Sequence, residues 1–156
     1  MKVSKRGEYG MRALFHLADH YGKGLVHIKA IAVDEEIPPK FLEGILLELK
    51  RAGYLSSRRG VDGGYALARR PEQILLGEVI RVLDGPLAPM SSAGELQELM
   101  DRNPRQIGFY AVLMDVRNAV SEILDKTSLA EVLRRNRERY GEKDDSSPGG
   151  EGAREE

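Results

Sequence analysis

The sequence predicts a mainly α-helical fold with a small β-wing: a winged helix-turn-helix followed by a long C-terminal dimerisation helix. Three observations predict it. A helix pattern opened by proline and closed by glycine covers residues 38–53. Two short strand patterns flank a glycine-rich turn at residues 54–67, and a long apolar periodic segment covers residues 106–126. With 156 residues, the chain can bury one core and still carry an oligomerisation element.

The N-terminal third carries two amphipathic helix patterns. The first runs over about residues 8–20, where apolar residues recur at helical spacing before two glycines. The second is short, covers about residues 27–34, and is followed by a tight turn at residues 35–37. Two helices joined in this way lead directly into the third.

The third helix has the clearest boundaries. Pro38 and Pro39 suit a first helical turn, whose N–H groups lack intrahelical partners, and Gly53 is typical of a C-terminal stop. Its apolar stripe has the spacing of a core-facing side and consists of Leu42, Ile45, Leu46 and Leu49. The opposite face, predicted to be exposed, carries Pro39, Lys40, Glu43, Gly44, Leu47, Lys50 and Arg51.

The remaining elements follow in order. Strands are predicted at residues 54–57 and 65–67, one further helix at 71–83, a loop at 86–94 and a short helix at 95–102. The long helix at 106–126 precedes a last helix that begins at a Thr127 or Ser128 cap and ends near Arg139. We therefore divide the chain into a winged helix-turn-helix domain (1–86), a loop with a short helix (87–104), a dimerisation and C-terminal helical segment (105–140) and a disordered acidic tail (141–156).

Charge is divided unevenly along the chain. Residues 1–70 hold 13 Lys and Arg against 8 Asp and Glu, whereas residues 71–156 hold 11 against 17. A basic first half indicates a module that meets phosphate at one end.

Lys40 and Glu43 lie in the N-terminal turns of the third helix, the part of a recognition helix that approaches base edges. Lysine can donate to guanine acceptors, and glutamate can accept from the amine of cytosine. Glu43 also repels phosphate, so it would lower the affinity for DNA sites of the wrong sequence. The alternative is that these charges form an ordinary solvated helix face.

The predicted wing holds Arg58 and Arg59 beside Gly60. A hairpin tip with little side-chain bulk can enter a minor groove, where the negative potential attracts arginine. The alternative is a loop with two solvated arginines. A nucleotide-binding loop is excluded, because the glycine-rich segment lacks the lysine and Ser/Thr of that motif and no helix follows it.

The sequence lacks the residues of the common catalytic and metal sites. With no cysteine it has no disulfide, no thiol nucleophile and no thiolate-bound metal. His16 and His20 have i, i+4 spacing, but we expect them to be surface histidines, and His27 to be a helix-start residue. No Ser/His/Asp set or carboxylate pair stands out, so the sequence does not predict an enzyme. No apolar run is long enough to span a membrane or to form a signal peptide, which predicts a cytoplasmic protein with no membrane partner.

The long helix at 106–126 is apolar over too wide an arc to bury against one small domain. We expect it to pair with its own copy, because two recognition helices must reach successive major grooves of a pseudo-palindromic operator. The alternative is an ordinary core helix of the monomer. The residues predicted for dimerisation are Ile107, Tyr110, Ala111, Met114, Val120, Ile123 and Leu124.

Several separated segments, in order, resemble one known family. They are residues 3–14 (VSKRGEYGMRAL), 28–32 (IKAIA), 41–43 (FLE), 59–67 (RGVDGGYAL) and 77–87 (GEVIRVLDGPL). They are similar to the Rrf2 family of bacterial regulators, of the IscR, NsrR and CymR type. The resemblance is strong over about residues 1–90 and is one of pattern only over 105–135.

The resemblance implies a homodimeric winged helix-turn-helix repressor or activator, with repression the expected mode. It implies DNA contacts by Lys40, Phe41 and Glu43 on the recognition helix and by Arg59 in the wing, with Lys5 and Tyr9 near phosphate. With the residue-based argument above, the predicted DNA-binding set is Lys5, Tyr9, Pro39, Lys40, Phe41, Glu43, Leu47, Lys50, Arg58, Arg59 and Gly60.

The sequence departs from the family at the loop of about residues 90–106, where many members carry three cluster-binding cysteines. This chain has none there, and Glu8, which matches an oxygen ligand of some members, cannot replace three thiolates. We therefore predict no cluster and no other cofactor. Within the family, this implies control by a partner enzyme of cysteine synthesis or by a small molecule.

Two functions from different classes remain at this stage. The first is a homodimeric, sequence-specific regulator that binds double-stranded DNA. The second is a winged-helix protein-interaction module with weak or lost DNA binding. Salt-sensitive DNA binding distinguishes them.

Overall fold

The computed structural model describes residues 2–87 and 91–144, with side chains to Tyr140. The winged helix-turn-helix predicted from the sequence is present as three helices, α1 (Lys5–Asp19), α2 (Ile28–Asp34) and α3 (Pro39–Arg51), followed by strands β1 (Leu55–Arg58) and β2 (Gly64–Leu67). The strands form one antiparallel hairpin. The remaining helices are α4 (Leu76–Asp84), α5 (Ala93–Arg102), α6 (Ile107–Lys126) and α7 (Leu129–Asp144). The predicted fold class is confirmed.

α1 begins three residues earlier than predicted because Ser4 caps it. The Ser4 hydroxyl accepts from the backbone N–H of Gly7 at 3.0 Å, which satisfies a donor that the helix leaves free. The Ser4 backbone N–H and hydroxyl both donate to the Asp84 carboxylate at the end of α4. The start of the chain is therefore held to α4 as well as to α1.

The single helix predicted over residues 71–83 is wrong. A short 3₁₀ turn (Pro71–Gln73) is followed by extended backbone at Ile74 and Leu75 before α4 begins. The extended residues pair with the α6–α7 connection: the Leu76 N–H donates to the Thr127 carbonyl at 2.8 Å, and the Leu129 N–H donates to the Ile74 carbonyl at 3.0 Å. Hydrogen bonds to a distant segment thus replace those of a continuous helix.

The C-terminal helices differ from prediction only in their ends. α5 begins at Ala93 because Ser92 and Glu95 form a reciprocal capping box. Ser128, one of the two predicted caps, accepts from the Glu131 N–H at 3.2 Å, and α7 continues to Asp144. The rest of the predicted tail, residues 145–156, and residues 88–90 of the predicted loop lie outside the described residues.

One hydrophobic core joins the domain to the last helix. Leu129 and Leu133 of α7 are buried together with side chains of α1 to α4, so the C-terminal segment completes the core of residues 1–86. The fully buried large side chains of this core are Leu14, Leu17, Ile31, Leu42, Ile45, Leu46, Leu49, Ile74, Val79 and Leu129. This core fixes the direction in which α3 presents its other face.

Candidate nucleic-acid interface

The third helix has one buried face and one exposed face. Leu42, Ile45, Leu46 and Leu49 have no exposed surface, as their spacing predicted. The opposite face is exposed and carries Pro39, Lys40, Phe41, Glu43, Gly44, Leu47, Lys50 and Arg51. Two of these side chains are apolar and still largely exposed, Phe41 at 56% and Leu47 at 43%.

The first turn of α1 lies beside the N-terminal end of α3. The Tyr9 and Phe41 rings meet edge to face with centroids 6.1 Å apart, and the Lys5 ammonium lies 5.5 Å from the centre of the Tyr9 ring. Glu8 pairs with Lys5 and Arg12. The pKa of Glu8 lies below its usual value, chiefly because Lys5 donates a hydrogen bond to its carboxylate. The exposed end of the recognition helix is therefore flanked by cations of α1.

The wing is a hairpin of two four-residue strands joined by a tip at residues 59–63. Arg58 is paired with Gly64 across the strands and donates to the Asp62 carbonyl at 3.2 Å. Gly64 has a φ of 148°, and a Cβ there would overlap the Val26 carbonyl. Arg59 is exposed, and its side chain has no hydrogen-bond or ion-pair partner among the described residues. Its guanidinium is thus available to an external anion.

A groove of about 310 Å³ separates the recognition helix from the wing. Lys50 of α3 crosses it at one end, where its ammonium donates to the Ser57 hydroxyl of β1 at 2.6 Å. The groove is lined by His27, Ile28, Leu47, Lys50, Ser57, Arg58, Arg59, Gly60, Gly63, Gly64 and Tyr65. Three of its lining residues are cations and none is acidic, so it suits a polyanionic strand.

The predicted DNA-binding residues fall into two groups around this groove. Leu47, Lys50, Arg58, Arg59 and Gly60 line it. Lys5, Tyr9, Pro39, Lys40, Phe41 and Glu43 lie at the N-terminal end of α3 or on the adjacent part of α1. The predicted set omitted the other lining residues, His27, Ile28, Ser57, Gly63, Gly64 and Tyr65. The last four adjoin predicted wing residues in the sequence, but no local pattern indicated His27 and Ile28, because the start of α2 is brought to the groove by the pairing of Val26 with Tyr65.

The three histidines differ in how far they are buried and in the elements they contact. The expectation that His16 is a surface residue is wrong, because it is buried between α1 and the end of α2, with its Nδ1 atom 2.9 Å from the Glu35 carboxylate. His20 is exposed, and His27 stands at the N-cap position of α2, as predicted. No group of three or more His, Asp or Glu side chains within residues 2–87 and 91–140 is arranged to hold a metal ion.

The predicted dimerisation residues also divide into two groups. Ile107 and Ile123 are exposed, at 50% and 65%. The other five, on the side of α6 that packs against α4 and α5, are half-buried: Tyr110, Ala111, Met114, Val120 and Leu124. The prediction did not include Phe109, Val112 and Val116, which are exposed at 61%, 59% and 43%. Together with Ala119 and Ile123 they follow the 3- and 4-residue alternation of a coiled-coil seam, a signal that the sequence did contain.

No helix in the described part of the chain is both long and apolar enough to cross a membrane.

Comparison with known proteins identifies relatives along nearly the whole described chain. The Rrf2 family model, described as an iron-dependent transcriptional regulator, matches residues 3–135. The chain is 35% identical over 132 residues to the HTH-type transcriptional regulator CymR of Bacillus subtilis, covering 85% of this chain and 89% of that protein. It is 29% identical over 133 residues to the HTH-type transcriptional regulator IscR of Aliivibrio salmonicida, covering 85% and 77%.

Solved structures agree. The structure of CymR, the global cysteine regulator of B. subtilis, superposes with a TM-score of 0.70 at 32% identity, covering 85% of this chain and 95% of that one. The structure of T. potens IscR superposes with a TM-score of 0.66 at 33% identity, covering 96% and 94%.

Proposed function

Because this chain belongs to the Rrf2 family of DNA-binding transcriptional regulators, and is a regulator rather than an enzyme, we propose that it is a homodimeric, sequence-specific repressor that works without an iron–sulfur cluster. One observation carries the proposal: the groove between the exposed face of α3 and the wing, where Lys50, Arg58 and Arg59 converge. We place its action in the cytoplasm, with the DNA.

DNA docking follows from the two elements that border the groove. The N-terminal half of α3 enters a major groove, where Lys40 and Glu43 meet base edges. The wing tip lies over the neighbouring minor groove, with Arg59 directed into its negative potential. The phosphate strand between the two grooves occupies the basic groove of the protein, and Lys5 and Tyr9 flank it at the far end of α3.

The dimer forms through α6. A helix of 20 residues is about 30 Å long, comparable to the spacing of successive major grooves. Its exposed row of Phe109, Val112, Val116, Ala119 and Ile123 has no partner within the described part of the protomer. Leaving such a row in water is unfavourable, so a second copy of α6 is the partner that we propose. A dimer that covers two half-sites occludes the intervening DNA, and we therefore propose repression.

The donors of this chain do not fit the iron that the family description implies. The whole sequence has no thiol, and iron–sulfur clusters depend on thiolate ligands. Glu8, the one residue that matches an oxygen ligand of the family, is paired with Lys5 and Arg12. We propose instead that a small molecule or a partner protein, such as an enzyme of cysteine synthesis, provides the signal.

Fluorescence anisotropy tests this function. The purified chain should bind the DNA upstream of its own gene more tightly than a random duplex, and the affinity should fall steeply between two salt concentrations. Arg59→Ala should weaken binding and make the slope of log K against log salt less steep, by at most about 0.9, the value for one neutralised phosphate. Arg102→Ala, which removes an exposed arginine of α5 paired with Glu98, is the matched control and should leave the slope unchanged.

Two outcomes would contradict the proposal. Binding that is insensitive to salt and to sequence would indicate a protein-interaction module. Binding that appears only after reconstitution with iron and sulfide, or that a chelator abolishes, would show that a metal is required.

A further inference from the structure

A second cavity lies where α4, α6 and the residues before α5 meet. Its volume is about 190 Å³. The lining residues are two arginines, three serines and two apolar residues: Arg81, Arg117, Ser91, Ser92, Ser121, Pro86 and Leu87. None of these lining residues is acidic, so the cavity is a small basic site with hydroxyl donors, separate from the DNA groove.

The two arginines differ in how their charges are balanced. Arg81 of α4 makes a two-pronged ion pair with the Asp125 carboxylate of α6, at 2.6 and 2.8 Å. Arg117 of α6 is half-buried as a residue, and its guanidinium hydrogen-bonds, among the described residues, only to the neutral amide oxygen of Asn118, at 3.2 Å. It has no carboxylate partner in the described part of the chain, so its charge is available to an anion that enters the cavity.

The three serines add hydroxyl groups that can donate hydrogen bonds to such an anion. Ser91 and Ser121 are half-buried, and the Ser92 hydroxyl accepts from the Glu95 N–H, which leaves its own O–H free to donate. A guanidinium and nearby hydroxyls together match the planar or tetrahedral oxygens of a carboxylate, sulfate or phosphate group.

The cavity connects the DNA-binding core to α6. Arg81 belongs to α4, whose Val79 and Leu83 are buried in that core. An anion beside Arg81 competes with Asp125 for the same guanidinium, and α4 and α6 pack so closely there that a Cβ at Gly77 would overlap the Asp125 carboxylate. The Arg81–Asp125 pair therefore lies at the contact between α4 and α6, where a change in the pair would act on the packing of these two helices.

We propose that this cavity binds a small molecule carrying one oxyanion group, held by Arg117 and the serine hydroxyls, and that its binding alters DNA affinity through the Arg81–Asp125 pair. The first half of this proposal concerns the site alone. The second half rests on the proposed function, because it requires DNA binding.

The experiment titrates the full chain with sodium phosphate, sulfate and acetate, at constant ionic strength set with chloride, by calorimetry and by NMR of the arginine side chains. We expect saturable binding of at least one of these probes, with the largest shift at the Arg117 Nε–H. Arg117→Gln should weaken binding at least tenfold, Arg117→Lys should restore part of it, and Arg102→Gln should have no effect. Preference for acetate or for phosphate distinguishes a carboxylate effector from a phosphorylated or sulfated one.

Anisotropy with operator DNA, on the same samples, tests the regulatory half. A saturating probe should change the Kd for DNA at least threefold in the unchanged chain and not in Arg117→Gln. No saturable binding of any probe, or equal binding by Arg117→Gln, would overturn the site. Binding that leaves DNA affinity unchanged would overturn its regulatory role, whereas failure to bind DNA both with and without every probe would refute the proposed function and leave the anion site standing.

Discussion

Replacing Gly44 with alanine separates the stability of the recognition helix from its contact with DNA. Gly44 lies in the middle of α3, on the exposed face, and a Cβ built there meets no atom of the protein within 4 Å. Alanine is favoured over glycine inside a helix by about 0.8–1.0 kcal/mol. Gly44→Ala should therefore stabilise the protein by about that amount and raise its Tm by roughly 2–4 °C for a chain of this length.

The expected effect on DNA binding has the opposite sign. Nothing inside the protein requires a glycine at this position, whereas a backbone that lies against DNA leaves no room for a methyl group. We expect the affinity for operator DNA to fall at least about tenfold, which corresponds to about 1.4 kcal/mol. A more stable protein that binds its target more weakly would locate the closest approach of α3 to the DNA at Gly44.

The assay combines thermal unfolding with anisotropy against operator and random duplexes. Gly94→Ala, an exposed glycine near the start of α5 with only the Ser92 hydroxyl at 4.0 Å, is the matched control. It should not weaken DNA binding. If Gly44→Ala raises the Tm and binds operator DNA as tightly as the unchanged chain, the close-approach argument is refuted.

Three further predictions concern specificity, assembly and pH. Glu43→Ala should lower the ratio of operator to random affinity while keeping or raising the affinity for random DNA; complete loss of binding would make Glu43 an essential contact. Val116→Glu should convert the dimer to a monomer, as measured by light scattering, because it would bury a carboxylate in the dimer interface. The secondary-structure content should not fall, since this side chain is 43% exposed in the protomer. If the dimer stays intact, α6 does not form the dimer interface. Glu131 has its pKa lowered to about 2, chiefly because Arg134, and then Arg135, donates hydrogen bonds to it. Its stabilising contribution is therefore present above pH 4.5 and lost as the pH falls toward 2, so the Tm difference between the unchanged chain and Glu131→Gln should shrink over that window; an NMR titration with a midpoint near 4.5 would contradict this.

Local chemistry explains why so much of the DNA-binding domain could be predicted. Pro39 and the stripe from Leu42 to Leu49 specify α3 and its buried face without reference to the rest of the chain. The exposed face of α3 follows as the complement of that stripe, and the glycines around the wing tip predict a turn between two strands. Residues close in sequence carry all of these signals.

The predictions that proved wrong concern residues whose structure depends on contacts with distant segments of the chain. Helical pattern alone predicted one helix over residues 71–83, but hydrogen bonds from Leu76 to Thr127 and from Leu129 to Ile74 divide it. His16 was expected at the surface as the alternative to a metal-binding pair with His20, and only the approach of Asp34 and Glu35 from the end of α2 covers it. Long-range pairings of this kind leave no periodic trace in the sequence.

In the long helix α6, some features follow from the sequence alone and others depend on tertiary structure. Its sequence determines that α6 forms and that apolar residues cover most of its circumference. Which of them pack against α4 and α5, and which remain exposed, depends on where those helices lie, so Met114 is half-buried while Val116 is exposed. The sequence by itself thus determined the class of protein, the recognition helix, the wing and the absence of thiols. Tertiary structure alone decided the division of α6, the basic groove between α3 and the wing, and the arginine cavity, because each depends on side chains brought together from separate elements.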